Sequence, residues 1–202
     1  MSILTDTIRK QFKEGDDIRD EGLTTPDTVQ RFDNILYGDD PEWNTMDLYI
    51  PKEEKEKLPI IISFHGGGWV YGDKERYQYY CMSLAERGFA VINFTYRLAP
   101  EFKHPAPLVD MNQVAHWIMN HAKDYFLDTE HIYGVGDSAG AHLLTLYASI
   151  LTNREYASTY SFKAPEGFHF NALALNCGVY NITSESELTG ALMKEYLPLG
   201  GF

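Results

Sequence analysis

The stretch Gly136-Asp137-Ser138-Ala139-Gly140 is the part of this 202-residue chain best suited to covalent chemistry. It lies between an apolar run, His131 to Val135, and a helix-forming run, Ala141 to Ala148. A strand, a Gly-x-Ser-x-Gly turn and a helix together expose a hydroxyl that can act as a nucleophile. Gly136 and Gly140 would keep strand and helix from colliding, and the Ala139 amide at the helix N-terminus would face a developing oxyanion. Alone the pattern is weak, since average composition produces it about once in every ten to twenty chains of this length. A second stretch adds weight. His65-Gly66-Gly67-Gly68-Trp69 follows directly on the apolar run Leu58 to Phe64, and consecutive glycines let backbone N–H groups converge on one point.

The elements that must hold these loops can be read from the hydrophobic pattern. Leu58–Phe64, Phe89–Phe94, His131–Val135 and Ala172–Cys177 read as buried strands. Helices are expected over Glu75–Arg87, with Gly88 ending it, over Pro107–His121, and from the serine to about Leu151. Thr28–Tyr37 and Met46–Ile50 suggest an antiparallel pair at one sheet edge, and Thr152–Gly167 a polar connection. Residues 3–20 suggest a short, loosely attached helix. Alternation of strands and helices predicts an α/β fold with a mostly parallel sheet covered on both faces. Both glycine loops follow strands directly, so both fall at the carboxyl ends, where such sheets bind ligands.

Length allows one domain, 1–202, with residues 1–25 as an N-terminal extension and 183–202 as the start of a cap segment. The 44% hydrophobic and 14% aromatic content is globular, and no apolar run is long enough to span a bilayer. A net charge of −12 argues against nucleic acid or anionic membrane as a partner. The first ten residues lack the apolar core of a signal peptide, which gives a cytoplasmic expectation. Cys81 and Cys177 read as free core thiols, and no metal-ligand spacing or cofactor motif stands out. The charge run Lys52–Lys57 reads as a solvated loop.

Three blocks in order, His65-Gly66-Gly67-Gly68, then Tyr96-Arg97-Leu98-Ala99-Pro100-Glu101, then Gly136-Asp137-Ser138-Ala139-Gly140, resemble the α/β-hydrolase esterases of the hormone-sensitive-lipase type. The resemblance runs from about residue 45 to 180. It implies an α/β-hydrolase fold and a serine carboxylic-ester hydrolase for small acyl esters, with Ser138 as nucleophile. The amides of Gly67, Gly68 and Ala139 are implied to form the oxyanion hole. His65, Gly66, Gly136, Asp137 and Gly140 are implied to support the motifs, and Arg97 to be a salt-bridged scaffold residue. No cofactor or metal is implied, and the partner is a small-molecule ester. An amidase or a non-catalytic, ligand-binding member of the fold are the other readings.

In that family an acid and a histidine follow the serine in sequence. Here no aspartate follows Ser138, and His142 and His169 are the histidines that do. His142 climbs the serine's own helix, so a packing role is expected, and His169 precedes its strand and falls at the wrong end of the sheet. Glu185 and Glu187 lie on the right side but have no histidine to orient. The expectation is therefore a chain that lacks the last strands and the triad acid and base, and that is nearly inactive by itself. Its Ala172–Cys177 strand would be an exposed edge, open to self-association into a homo-oligomer.

Overall fold

The computed structural model describes residues 3–53, 56–181 and 186–198. Among the described residues six strands form one sheet in the order β1-β2-β4-β3-β5-β6. They are β1 (Val29–Leu36), β2 (Thr45–Pro51), β3 (Leu58–Phe64), β4 (Ala90–Phe94), β5 (Leu127–Asp137) and β6 (Ala172–Asn176). β1 and β2 pair antiparallel at one edge and β2 runs antiparallel to β4, while β4, β3, β5 and β6 are parallel. This is the expected α/β architecture.

The helices are α1 (Ile3–Asp20), α2 (Lys74–Ala85), α3 (Ala106–His121), α4 (Ala139–Thr152), α5 (Arg154–Ala157) and α6 (Glu187–Tyr196). Alternation along β3 shows how both faces are used. Ile60, Ile62 and Phe64 join the larger core with Leu108 and Met111 of α3 and Leu144 of α4. Ile61 points the other way, into a smaller cluster with Cys81, Met82 and Ala85 of α2. A continuous apolar run is what such a doubly covered strand requires.

Several details differ from the sequence reading. β5 begins at Leu127, four residues before the apolar run, because Leu58 and Pro59 pair with Leu127 and Asp128 ahead of an irregularity in the ladder. The polar connection after α4 contains α5, started by the Asn153 side chain accepting from Tyr156 N. Cys81 is a buried free thiol as expected, but Cys177 is exposed, since it follows the edge strand β6 with a left-handed φ of 49°.

The N-terminal helix is not loosely attached. Only Thr5 and Ile8 of α1 are buried, and beside the apolar contacts of Leu4 and Ile8 with the core and of Phe12 with Tyr71 its docking is ionic and polar. Arg9 pairs with Glu101 at 2.7 Å and donates to the carbonyls of Val70 and Ala99. Tyr71 donates to Asp16 and Arg76 to Asp17, at 2.8 and 2.7 Å. The strand β6 is the expected exposed edge, with Ala172, Ala174, Leu175 and Asn176 open to solvent. Of the charge run, Glu54 and Lys55 lie outside the described residues, and its described members Lys52, Glu53, Glu56 and Lys57 are exposed. Among the described residues no helix is long and apolar enough to cross a membrane.

Candidate active site

Ser138 stands between β5 and α4 with φ 50° and ψ −113°, the sharp, strained turn foreseen for it. Its amide donates to the Asn176 carbonyl at 2.8 Å, which fixes the turn to the end of β6. The two flanking glycines have different jobs. A Cβ at Gly136 would lie 2.8 Å from the Ala141 backbone, so this glycine does separate strand from helix. A Cβ at Gly140 would lie 2.1 Å from the Phe64 carbonyl oxygen and 2.5 Å from that of His65. Gly140 therefore lets α4 press against the end of β3, where the other loop begins.

The parallel register sets Phe64 opposite Gly136, so the two loops leave neighbouring strands side by side. A Cβ at Gly66 would be 3.1 Å from the Asp137 carbonyl oxygen, a direct measure of how close they run. Gly67 has φ +125° and leaves no room for a side chain: a Cβ would meet the Tyr71 carbonyl oxygen at 2.0 Å. Its own carbonyl accepts from Val70 N and Tyr71 N, closing the turn. Gly68 has φ +61° and faces Leu192 of α6. The Gly66 amide donates to the Tyr77 hydroxyl at 3.1 Å, whereas the amides of Gly67, Gly68 and Ala139 have no acceptor among the described residues.

Gly66, Gly67, Gly68, Asp137 and Ser138 line one cavity of about 550 Å³. α1 closes it on one side with Gln11, Phe12 and Asp16, and Leu188 and Leu192 of α6 close it on the other. That size suits a small molecule.

Behind the loop, polar groups are tied one to another. His65 is fully buried and stacks on Tyr96 with ring centroids 3.9 Å apart, and the Tyr96 hydroxyl donates to the His65 carbonyl at 2.7 Å. Its Nδ1 lies 2.8 Å from the Gly66 carbonyl, so Nδ1 carries the proton, and Nε2 has no partner among the described residues. Trp69, itself at φ 64°, donates through Nε1 to His142 Nδ1 at 3.2 Å and stacks on Tyr196 at 5.3 Å. His142 is thus packed, as the sequence suggested. Arg97 pairs with buried Asp110 at 2.7 Å, the scaffold role implied for it.

Burial lowers both His65 and His142 to about 4 from the ordinary 6.5. An unfolded chain takes up these protons first, so between about pH 6.5 and 4 the unfolded state binds more protons and stability falls as the pH drops. Above that window the contribution is constant. Thermal midpoints measured across it should show a shallower slope for His142→Asn than for the wild-type chain; identical slopes would contradict the assignment.

All seven histidines are described, and none lines the Ser138 cavity. His169 is exposed and precedes β6, at the end of the sheet away from Ser138, as expected. Glu187 is an exposed residue in the first turn of α6, while Glu185 and Leu199–Phe202 lie outside the described residues, as does part of the 183–202 segment. Among the described residues no group of three or more His, Cys, Asp or Glu could hold a metal ion.

Sequence reasoning missed the contributions of Asn176, Tyr77 and α1. Tyr77 had a readable signal, because it ends the first turn of a helix whose N-cap, Asp73, closely follows the glycine loop. The other two depend on tertiary pairing.

The profile of the BD-FAE family matches residues 46–195. The ethyl acetate hydrolase of Pseudomonas putida is 31% identical over 157 residues, 76% of this chain and 49% of that protein. The versiconal hemiacetal acetate esterase of Dothistroma septosporum is 37% identical over 97 residues, 48% of this chain and 30% of that protein. Among solved structures, esterase B from Lactobacillus rhamnosis superposes with a TM-score of 0.86 at 27% identity, covering 95% of this chain and 64% of that one. The chain thus spans about half or less of the length of these two curated relatives.

Proposed function

The chain belongs to the BD-FAE family, and from that premise we propose that it carries the nucleophile and the oxyanion-binding loop of a serine carboxylic-ester hydrolase for small, largely apolar acyl esters. Ser138 Oγ attacks the ester carbonyl and gives its proton to a base. The amides of Gly67, Gly68 and Ala139 take the negative charge that forms on the carbonyl oxygen. Collapse releases the alcohol and leaves an acyl-serine, and water then frees the carboxylic acid and restores the hydroxyl. His65 stays beneath the loop as a neutral, packed imidazole and takes no proton from Ser138.

One observation carries this reading: Ser138 and the Gly67 and Gly68 segment share a single cavity, while three amides nearby are left without acceptors. An unpaired amide is costly unless water or a ligand answers it, so three together favour an anionic or carbonyl oxygen as occupant. Phe12, Trp69, Leu188 and Leu192 in the same lining favour an apolar acyl group. A histidine base is the piece that the described residues do not bring to the cavity.

The 202-residue chain is expected to hydrolyse para-nitrophenyl acetate barely above background. Imidazole in solution supplies a base and should raise the rate by about tenfold beyond its own solution catalysis. Ser138→Ala should remove that increment. An increment that survives in Ser138→Ala would refute the serine, and robust turnover without imidazole would refute the missing base. The absence of histidine from the cavity also favours a second reading, a non-catalytic member that binds small esters. Binding of the ester with no imidazole-dependent increment would select it.

A further inference from the structure

We propose that Tyr77 is a positioning residue for this reaction: its hydroxyl ties the glycine loop to the serine turn and so sets the distance from the Gly67 and Gly68 amides to Ser138. The inference rests on the ester-hydrolase reading. The hydroxyl accepts from Gly66 N at 3.1 Å and donates to Asp137 Oδ2 at 2.8 Å. Gly66 immediately precedes Gly67, and Asp137 immediately precedes Ser138. A single oxygen therefore stands one residue away from each of the two groups that must meet around a tetrahedral intermediate.

The geometry suits that task. α2 starts at a fixed point, since the Asp73 side chain accepts from Arg76 N at 3.0 Å, and Tyr77 follows directly in the helix. Burial holds the phenol well above its ordinary value, so it keeps its proton for the carboxylate while a lone pair receives the amide. There is no slack at the contact, because a Cβ at Gly66 would lie 2.9 Å from the Tyr77 oxygen. The far side of the loop is held separately by Trp69 on His142. Tyr77 also decides which amides remain free, because it occupies Gly66 N and leaves Gly67 and Gly68 for a ligand. Without its oxygen the loop keeps the Trp69 anchor and the His65 bond to the Gly66 carbonyl but loses its side-chain tie to the serine turn.

Tyr77→Phe removes that one oxygen and keeps the ring. Imidazole-assisted acylation by para-nitrophenyl acetate should slow by about tenfold to a hundredfold at unchanged KM, the signature of a misplaced group rather than of lost binding. In nuclear magnetic resonance spectra the amide signals of Gly66, Gly67 and Gly68 should broaden, while those of the β3 and β5 strands stay sharp. Wild-type acylation rates and unchanged loop signals in Tyr77→Phe would overturn the proposal, as would a rate loss that only follows the fraction unfolded. Should the wild-type chain itself fail to acylate, the ester-hydrolase reading fails and the amide signals alone judge the tie: broadening confined to the loop supports it, and unchanged signals refute it.

Discussion

Gly140→Ala is expected to cost the chain about 3 kcal/mol or more, or to prevent its folding. The added methyl would stand 2.1 Å from the Phe64 carbonyl oxygen and 2.5 Å from that of His65, and both neighbours are backbone, so no side chain can turn aside. Relief requires α4 to back away from β3, which separates the serine turn from the glycine loop. For a chain of this size the penalty corresponds to a fall in melting temperature of roughly 6 to 12 °C. Gly190→Ala is the control. It lies inside α6 with nothing within 4 Å of its Cβ position, and alanine there should be neutral or stabilising by up to about 1 kcal/mol. Thermal denaturation of the two variants beside the wild-type chain gives the answer, and a Gly140→Ala chain that melts with the wild type would show that the two loops are not in contact.

Asp110→Ala is expected to cost about 3 kcal/mol, for a different reason. Asp110 is fully buried in α3 and accepts from the Arg97 backbone amide at 2.7 Å, from the Arg97 guanidinium and from Asn44. Removal takes the carboxylate from a partly buried cation and the acceptor from the Arg97 amide, and leaves Asn44 Nδ2 with the Tyr37 hydroxyl. The damage reaches the site because Arg97 lies in the segment that props the glycine loop: Tyr96 holds the His65 carbonyl, and Ala99 N holds that of Trp69 at 2.8 Å. Urea denaturation should show the loss. A midpoint within error of the wild type would mean that Arg97 and Asp110 are held apart by water in solution.

How much of this was legible in the sequence follows from what kind of interaction made each element. β3 and β4 were readable because strands buried on both faces must be continuously apolar, and Ile60 to Phe64 and Ala90 to Phe94 are. The two loops were readable because their glycines are demanded by local geometry: Gly67 and Gly68 by positive φ, Gly136 and Gly140 by contacts too short for a Cβ. The start of β5 was hidden, since Leu127 to Glu130 is polar apart from its first residue and is strand only through pairing with Leu58 and Pro59. The docking of α1 was hidden too. Its anchors are Arg9, Asp16 and Asp17, which on a helix look like ordinary solvated charges, and their partners Glu101, Tyr71 and Arg76 are 55 or more residues away in the chain. Cys177 was misjudged because a cysteine after an apolar run looks buried, whereas among the described residues β6 has a neighbour on one side alone.

An acyl group transferred to this chain is expected to land on Ser138, with its carbonyl oxygen held by the neighbouring amides. Without a histidine at the cavity to activate water, the acyl-serine should outlive its formation. The chain is incubated with para-nitrophenyl acetate and imidazole, quenched in acid, and examined by intact mass and peptide mass spectrometry. The prediction is one added acetyl group per chain, on the peptide containing Ser138, and none there in Ser138→Ala. Acetyl groups scattered over lysines, or an unmodified Ser138 after prolonged exposure, would contradict it.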